Sequence, residues 1–224
     1  DIQPIAIQIS KLRFFISLVV DQKTNSNPVD NFGIRPLPNL EAKFVAANTL
    51  IGLEKREASL FDSEEVKKME NELKIANHKI FGAKTHKTRR KYRDKVVSLR
   101  DKMIDILHEM GSIGNEEANQ LKKWDMFNQN DHSPFFDSEW MFGVSEGFNI
   151  VIGNPPYLRV QGLRENYEME SKYYEKKYKS ATGRFDFYVL FMECGFKMLT
   201  SNGILSYIIP HKFINQTNRI IIPR

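Results

Sequence analysis

The residues with the clearest chemical purpose are Asn154-Pro155-Pro156-Tyr157, joined directly to the apolar run Phe148-Asn149-Ile150-Val151-Ile152-Gly153. A short apolar run rich in β-branched side chains predicts a buried strand, and the groups at its carboxyl end then sit where open α/β sheets bind ligands. Proline fixes its own φ near about −65° and drives the preceding residue out of the helical region, so Asn154 and Pro155 are expected to be extended. The Asn154 side-chain oxygen and the Pro155 carbonyl become fixed acceptors beside an aromatic face. That set suits a planar group carrying an NH2: each acceptor takes one proton, and the ring stacks on Tyr157. The same four residues also fit a plain turn after a strand. A polyproline ligand for a WW-like domain is a third reading, disfavoured by fusion to a strand as apolar as a core.

Such a corner needs a scaffold. Pro4 followed by Ile5, Ile9, Leu12, Ile16 and Val19 predicts a helix with one apolar face, ending near Asp21. Residues 22–39, with Pro28, Gly33, Pro36 and Pro38, read as a loop, and Ala42 to Ala46 as a short strand with Asn48 at its carboxyl end. From Glu54 to Met110 the texture is charged helix. Asp62 and Glu65 make a capping box, and Val66, Met69, Leu73, Ala76 and Ile80 form one stripe, Tyr92, Val96, Leu99, Met103, Ile106 and Met110 a second. With Gly82 between them, the stripes predict an antiparallel hairpin projecting from the core, its arms roughly 30 Å long.

Lys84, Lys87, Arg89, Arg90, Lys91 and Arg93 fall at the tip of that hairpin. They read as a phosphate-contacting finger or as a solvated turn; the apolar stripes could also pack against another chain. Past the corner, Tyr167, Tyr173, Tyr174 and Tyr178 alternate with Lys172, Lys176, Lys177 and Lys179. This pattern fits base stacking with phosphate contacts and equally fits a loop.

Composition narrows the classes. No run approaches the roughly twenty apolar residues of a membrane span, and no signal-peptide pattern opens the chain, so the cytoplasm is the expected location. Cys194 is the only cysteine, which excludes an intrachain disulfide and a cysteine-rich zinc site. His78, His86, His108, His132 and His211 lack metal-ligand spacing, so no metal site is expected, and no serine sits in a nucleophile elbow. The formal charge of +5 and a pI near 9.1 favour a polyanionic partner.

Residues 148–157 resemble the signature of amino-group methyltransferases, specifically the adenine-specific DNA methyltransferases of restriction–modification systems. Phe185-Asp186-Phe187-Tyr188-Val189-Leu190-Phe191 with Glu193 resembles the Asp-x-Tyr helix of that family. Gly203 to Pro210, followed by His211-Lys212-Phe213, resembles its next strand and exit loop. Asp1-Ile2-Gln3-Pro4 is similar to the strand end that holds the ribose of S-adenosylmethionine, and Ala46 to Leu50 to the one that meets its adenine. The long helical insertion, with Phe136-Asp137 and Trp140-Met141-Phe142 leading to Gly147-Phe148, is most similar to large enzymes that fuse methylation and cleavage. Asn149 and Asn48 stand where the family often has Asp, and the glycine-rich cofactor loop and target-recognition domain have no counterpart here.

The resemblance implies an α/β fold: an incomplete Rossmann-like methyltransferase core interrupted by the hairpin, with residues 1–53 on the cofactor side, 54–123 as the insertion and 124–224 carrying the catalytic loop. It implies methyl transfer from S-adenosylmethionine to the exocyclic amine of an adenine flipped from double-stranded DNA. Asn154, Pro155, Pro156 and Tyr157 would be catalytic, with Asp1 and Asn48 at the cofactor. A chain opening on Asp1 without a methionine is expected to be an inactive fragment whose exposed strand edges or hairpin invite self-association. Two rivals stand beside this: methylation of a protein glutamine amide, which uses the same Asn-Pro-Pro-Tyr turn, and a helical scaffold without catalysis.

Overall fold

The computed structural model describes residues 2–52, 64–111, 113–128, 130–159, 168–183 and 185–211. Asp1, Asp62, Tyr167, Lys212 and Phe213 lie outside them. Two compact units divide the chain, Asp1–Gly143 and Val144–Arg224.

The first unit is helical. Helix α1 spans Pro4–Val20, entered through an extended Gln3 with proline in the first turn and closed where the Asp21 N–H meets the Ser17 carbonyl at 2.9 Å. The helix forms where the spacing predicts it, but none of its residues is buried, so its apolar stripe is uncovered among the described residues. The polar loop that follows is closed by Gln22, whose side chain both donates to the Arg35 carbonyl and accepts from the Arg35 N–H. Within it Pro28–Gly33 turns as 3-10 helix.

The strand expected at Ala42 to Ala46 does not form. Leu40–Lys43 is a turn of 3-10 helix, and pairing is limited to isolated bridges from Ala47 to Ser133 and from Gly52 to Phe136. Pro134 lies between the two bridges and has no N–H to give a ladder, so the bridges at Ala47 and Gly52 do not join into one strand.

Helices α2 (Glu64–Phe81) and α3 (His86–Glu109) are the expected hairpin. Helix α3 begins at His86, six residues before the second stripe opens at Tyr92, because the Thr85 hydroxyl accepts from the Thr88 N–H at 3.1 Å and caps the helix there. Both apolar stripes turn inward. Val66, Leu73, Ala76 and Ile80 meet Val96, Leu99 and Met103, and the cluster continues through α4 (Asn115–Lys123) to Trp124, Phe135, Trp140 and Met141. The hairpin is therefore the core of this unit, with Ile104 and Leu107 buried as well because α3 packs on more than one side. Burying each such side chain is worth about 1.5–3 kcal/mol before the opposing chain entropy is counted. Helix α5 (Ser138–Phe142) closes the unit, capped by Asp137 on the Trp140 N–H at 2.7 Å.

The second unit is a parallel pair with helices. Strand β1 (Phe148–Gly153) pairs with β2 (Leu199–Tyr207), aligning Ile150 with Ile204 and Gly153 with Tyr207. Gly147 leads into β1 at φ +93°, and a Cβ there would lie 2.9 Å from the Leu199 carbonyl carbon, so the position requires glycine. Two parallel strands need a crossover, and 154–198 supplies it with α6 (Glu168–Lys177) and α7 (Phe187–Lys197). Tyr188, Val189 and Met192 of α7 pack against Tyr207 and Ile209. Gly195 allows that approach: a Cβ would meet the Tyr207 hydroxyl at 2.7 Å. Ile150, Ile152 and Ile204 remain exposed at 63%, 75% and 63%.

Candidate active site

The carboxyl ends of β1 and β2 are tied where the Ile208 N–H donates to the Gly153 carbonyl at 3.1 Å. Directly beyond, Asn154 is exposed, Pro155 buried and Pro156 exposed, while Tyr157 is 49% exposed. The Tyr157 hydroxyl lies 2.9 Å from Asn154 Oδ1 and 2.8 Å from the Ile208 carbonyl. One hydroxyl carries one proton, so it serves only one of these two acceptors at a time. When the proton lies on the Ile208 carbonyl, Asn154 Oδ1 is open to another donor at an exposed position. The Pro155 carbonyl accepts from no described residue.

The aromatic face is propped from one side. Tyr188, fully buried on α7, meets the Tyr157 ring edge-on with centroids 6.3 Å apart. Main-chain contacts lock the two segments: the Phe187 N–H donates to the Leu158 carbonyl at 2.7 Å, and Arg159 bridges antiparallel to Asp186. The strand end, the Asp186-x-Tyr188 start of α7 and the exit of β2 at Ile208 thus meet at one place. The sequence names all three stretches but not the Tyr157 contacts that join them.

Behind the corner, Glu193 is 1% exposed and accepts from the Lys179 N–H at 3.2 Å, the Ser180 N–H at 2.8 Å and Lys197 Nζ at 2.6 Å. Burial pushes its carboxyl up, but these donors outweigh it and hold the pKa below the ordinary value. The tyrosines offered as base-stacking groups divide. Tyr174 and Tyr178 are buried and pack as rings at 6.3 Å, with Tyr174 against Phe187 at 5.6 Å, so they belong to the unit's interior.

Asn48, expected at the cofactor, stands in the first unit. Its Oδ1 accepts from the Leu50 N–H at 3.3 Å in a turn, and its amide NH2 has no hydrogen bond to a described residue. Of the basic set, Arg89, Arg90 and Arg93 line an open groove of about 290 Å³, joined by His86, Asp94, Asp125 and Phe127. Lys84, Lys87 and Lys91 do not line it. Phe127 and Asp125 are not recognisable in the sequence, since they lie more than thirty residues beyond the basic run. Among the described residues no cluster of three His, Cys, Asp or Glu side chains could hold a metal ion, and no helix is long and apolar enough to cross a membrane.

The pattern of one family, described as Eco57I restriction-modification methylase, matches residues 1–221. The chain belongs to that family. It is 33% identical over 99 residues to the type II restriction enzyme and methyltransferase RM.Eco57I of Escherichia coli, covering 44% of this chain and 9% of that protein. It is 33% identical over 76 residues to the type II methyltransferase M.BstVI of Geobacillus stearothermophilus, covering 33% of this chain and 13% of the relative. A putative type II restriction enzyme and methyltransferase of Methanocaldococcus jannaschii, RM.MjaORFECS2P, is 34% identical over 77 residues, 34% of this chain and 6% of the relative. The chain thus spans a small part of the length of each of these family relatives. No solved structure matches the chain.

Proposed function

We propose that this chain is the amine-presenting part of a DNA adenine methyltransferase within a restriction–modification enzyme. One observation carries the reading: an exposed Asn154 whose Oδ1 shares a single Tyr157 hydroxyl proton with the Ile208 carbonyl, and so opens to another donor when that proton lies on Ile208, stands next in the chain to a Pro155 carbonyl that accepts from no described residue, beside a half-exposed Tyr157 ring. An adenine amine is a poor nucleophile because its lone pair is delocalised into the ring. Two acceptors that draw on both of its protons favour a pyramidal nitrogen with an available lone pair. This is catalysis by positioning and fixed dipoles, without a covalent intermediate on the protein. Reaching the amine requires extruding the base, and the Tyr157 face offsets part of the few kcal/mol lost on unstacking.

Asn48 and Asp1 are proposed as the residues that would hold S-adenosylmethionine: the Asn48 amide NH2, unused by any described residue, is a donor of the kind an adenine ring nitrogen accepts, and the Asp1 carboxylate is an acceptor of the kind ribose hydroxyls need. When bound, the cofactor supplies the electrophilic methyl group. The parallel β1–α–β2 arrangement supports reading the second unit as part of a Rossmann-like core, with the corner at its carboxyl edge. Lys84, Lys87, Arg89, Arg90, Lys91 and Arg93 are proposed as the face toward double-stranded DNA, and the cytoplasm, where such DNA lies, as the place of work.

The test is Asn154→Ala in the full-length protein, assayed for methyl transfer to duplex DNA and, in parallel, to a protein glutamine amide. Loss of one acceptor is expected to lower the rate on DNA by about 10²–10³-fold. Undiminished methylation of DNA, or transfer confined to the glutamine amide, overturns the reading.

A further inference from the structure

The first two turns of α3 carry His86, Lys87, Arg89, Arg90, Lys91 and Arg93, with no acidic residue in the first turn. Helices α2 and α4 do the reverse, opening on Glu64 and Glu65 and on Glu116 and Glu117. A helix N-terminus behaves as about half a positive charge, so cations gathered there cost stability, and Arg89 and Arg93, four residues apart, repel along one face. Two other cations on these helices are paired. Lys95 pairs with Glu72 at 3.0 Å, and Lys122 of α4 with Asp105 at 2.6 Å. Arg89, Arg90 and Arg93 have no ion-pair partner among the described residues.

These three line the 290 Å³ groove whose far side is the turn at Asp125 and Phe127. The Arg93 guanidinium carbon sits 4.5 Å from the Phe127 ring centroid. Stacking of that kind fixes the guanidinium plane while leaving its in-plane N–H groups for an acceptor. Arg89 Nε is shielded from solvent and has no hydrogen-bond partner, a donor without the acceptor such a group normally finds. Asp94 and Asp125 are the opposing charges in the groove, and Asp125 Oδ1 accepts from the Phe127 N–H at 2.9 Å, which holds the ring-bearing turn. Three guanidiniums against two carboxylates leave one surplus positive charge when His86 is neutral.

We propose that this groove holds a backbone phosphate of duplex DNA, with Arg89, Arg90 and Arg93 donating to its oxygens. The proposal rests on DNA being the substrate class inferred above. It assigns the groove to affinity and register rather than to reading bases, because phosphate is the same at every step of the duplex.

Binding of the full-length protein to a random-sequence duplex oligonucleotide, measured across salt concentrations, tests it. Removing one phosphate from the footprint lowers the slope of log K against log salt by about 0.9. The triple variant Arg89→Gln, Arg90→Gln, Arg93→Gln is expected to lose about one unit of slope and about tenfold or more in affinity at low salt. Asp94→Asn, which leaves the arginines in place and keeps the test open if the triple variant does not fold, is expected to tighten binding about threefold. Unchanged slope in the triple variant, or unchanged affinity in Asp94→Asn, overturns the groove. A polyglutamate chain of equal charge, used as a second probe, overturns the phosphate assignment if its binding falls by the same factor. Asn154→Ala is expected to keep the wild-type slope, so the groove and the methyl-transfer reading fail on separate measurements.

Discussion

Glu193 and Arg100 are buried charges, one in each unit, and their surroundings solve the same problem in opposite ways. Glu193 has three donors on its carboxylate, two of them backbone N–H groups from the turn before α7. Arg100 is 6% exposed and lies between two indoles, its guanidinium carbon 4.7 Å from the Trp124 ring and 5.1 Å from Trp140. Its Nε and one Nη are buried without hydrogen-bond partners. Burial disfavours the charged form of both. In Glu193 the hydrogen bonds win, whereas in Arg100 burial prevails and brings the pKa down to about 10, with Asp125 and Asp101 opposing it only in part. Ring faces attract a cation but do not satisfy its N–H groups, and that difference decides which charge holds its unit together.

Removing the satisfied charge should therefore do the most damage. Glu193→Ala leaves the Lys179 and Ser180 N–H groups without their acceptor and is expected to destabilise the second unit by about 3 kcal/mol in urea unfolding. A loss below about 1 kcal/mol would mean that water replaces the carboxylate at no penalty. The stabilisation from Glu193 is present above the ordinary carboxyl value of 4.5 and is lost as pH falls through its lower folded value, a decline that Glu193→Ala should not show.

Arg100→Met reverses the sign. Replacing a cation whose donors are unmet with an apolar chain of similar length is expected to stabilise the first unit by about 1 kcal/mol at neutral pH. Above a pH of about 10, and up to the ordinary guanidinium range, the unfolded chain holds the Arg100 proton more tightly than the folded chain, so native stability relative to Arg100→Met rises with pH across that window. Thermal unfolding of both proteins across this range checks the sign; a gap that widens would show that stacking on the indoles outweighs desolvation. The smallest effect belongs to the half-exposed Tyr157. Tyr157→Phe keeps the ring and loses the hydroxyl between Asn154 and Ile208, with an expected cost of about 0.5–1 kcal/mol. A cost above about 2 kcal/mol would make that hydroxyl the main tie at the β2 exit.

The same contrast explains what is legible in the sequence. Stripes at steps of three and four locate α2 and α3, because a helix periodicity is a local property that packing then reinforces. Burial is another matter: α1 and α7 are about equally apolar, yet α1 buries nothing and α7 is largely interior, since only α7 has a described sheet to cover. Residues 42–46 carry a strand-like composition, yet Leu40–Lys43 turns as 3-10 helix, and the bridges at Ala47 and Gly52 are kept apart by Pro134, about ninety residues later in the chain. The corner at Asn154 can be read from two prolines and a strand. Its link from Tyr157 to Ile208 joins positions 51 residues apart, a distance over which no local pattern speaks.

The indole pair around Arg100 also has an optical consequence. The chain contains two tryptophans, Trp124 and Trp140, and both belong to the first unit. Indole emission on excitation at long ultraviolet wavelengths therefore reports on the helical half alone, while the strand-bearing half is visible only through its tyrosines and backbone dichroism. Melting curves that separate by probe would show the halves coming apart at different temperatures without any label being added.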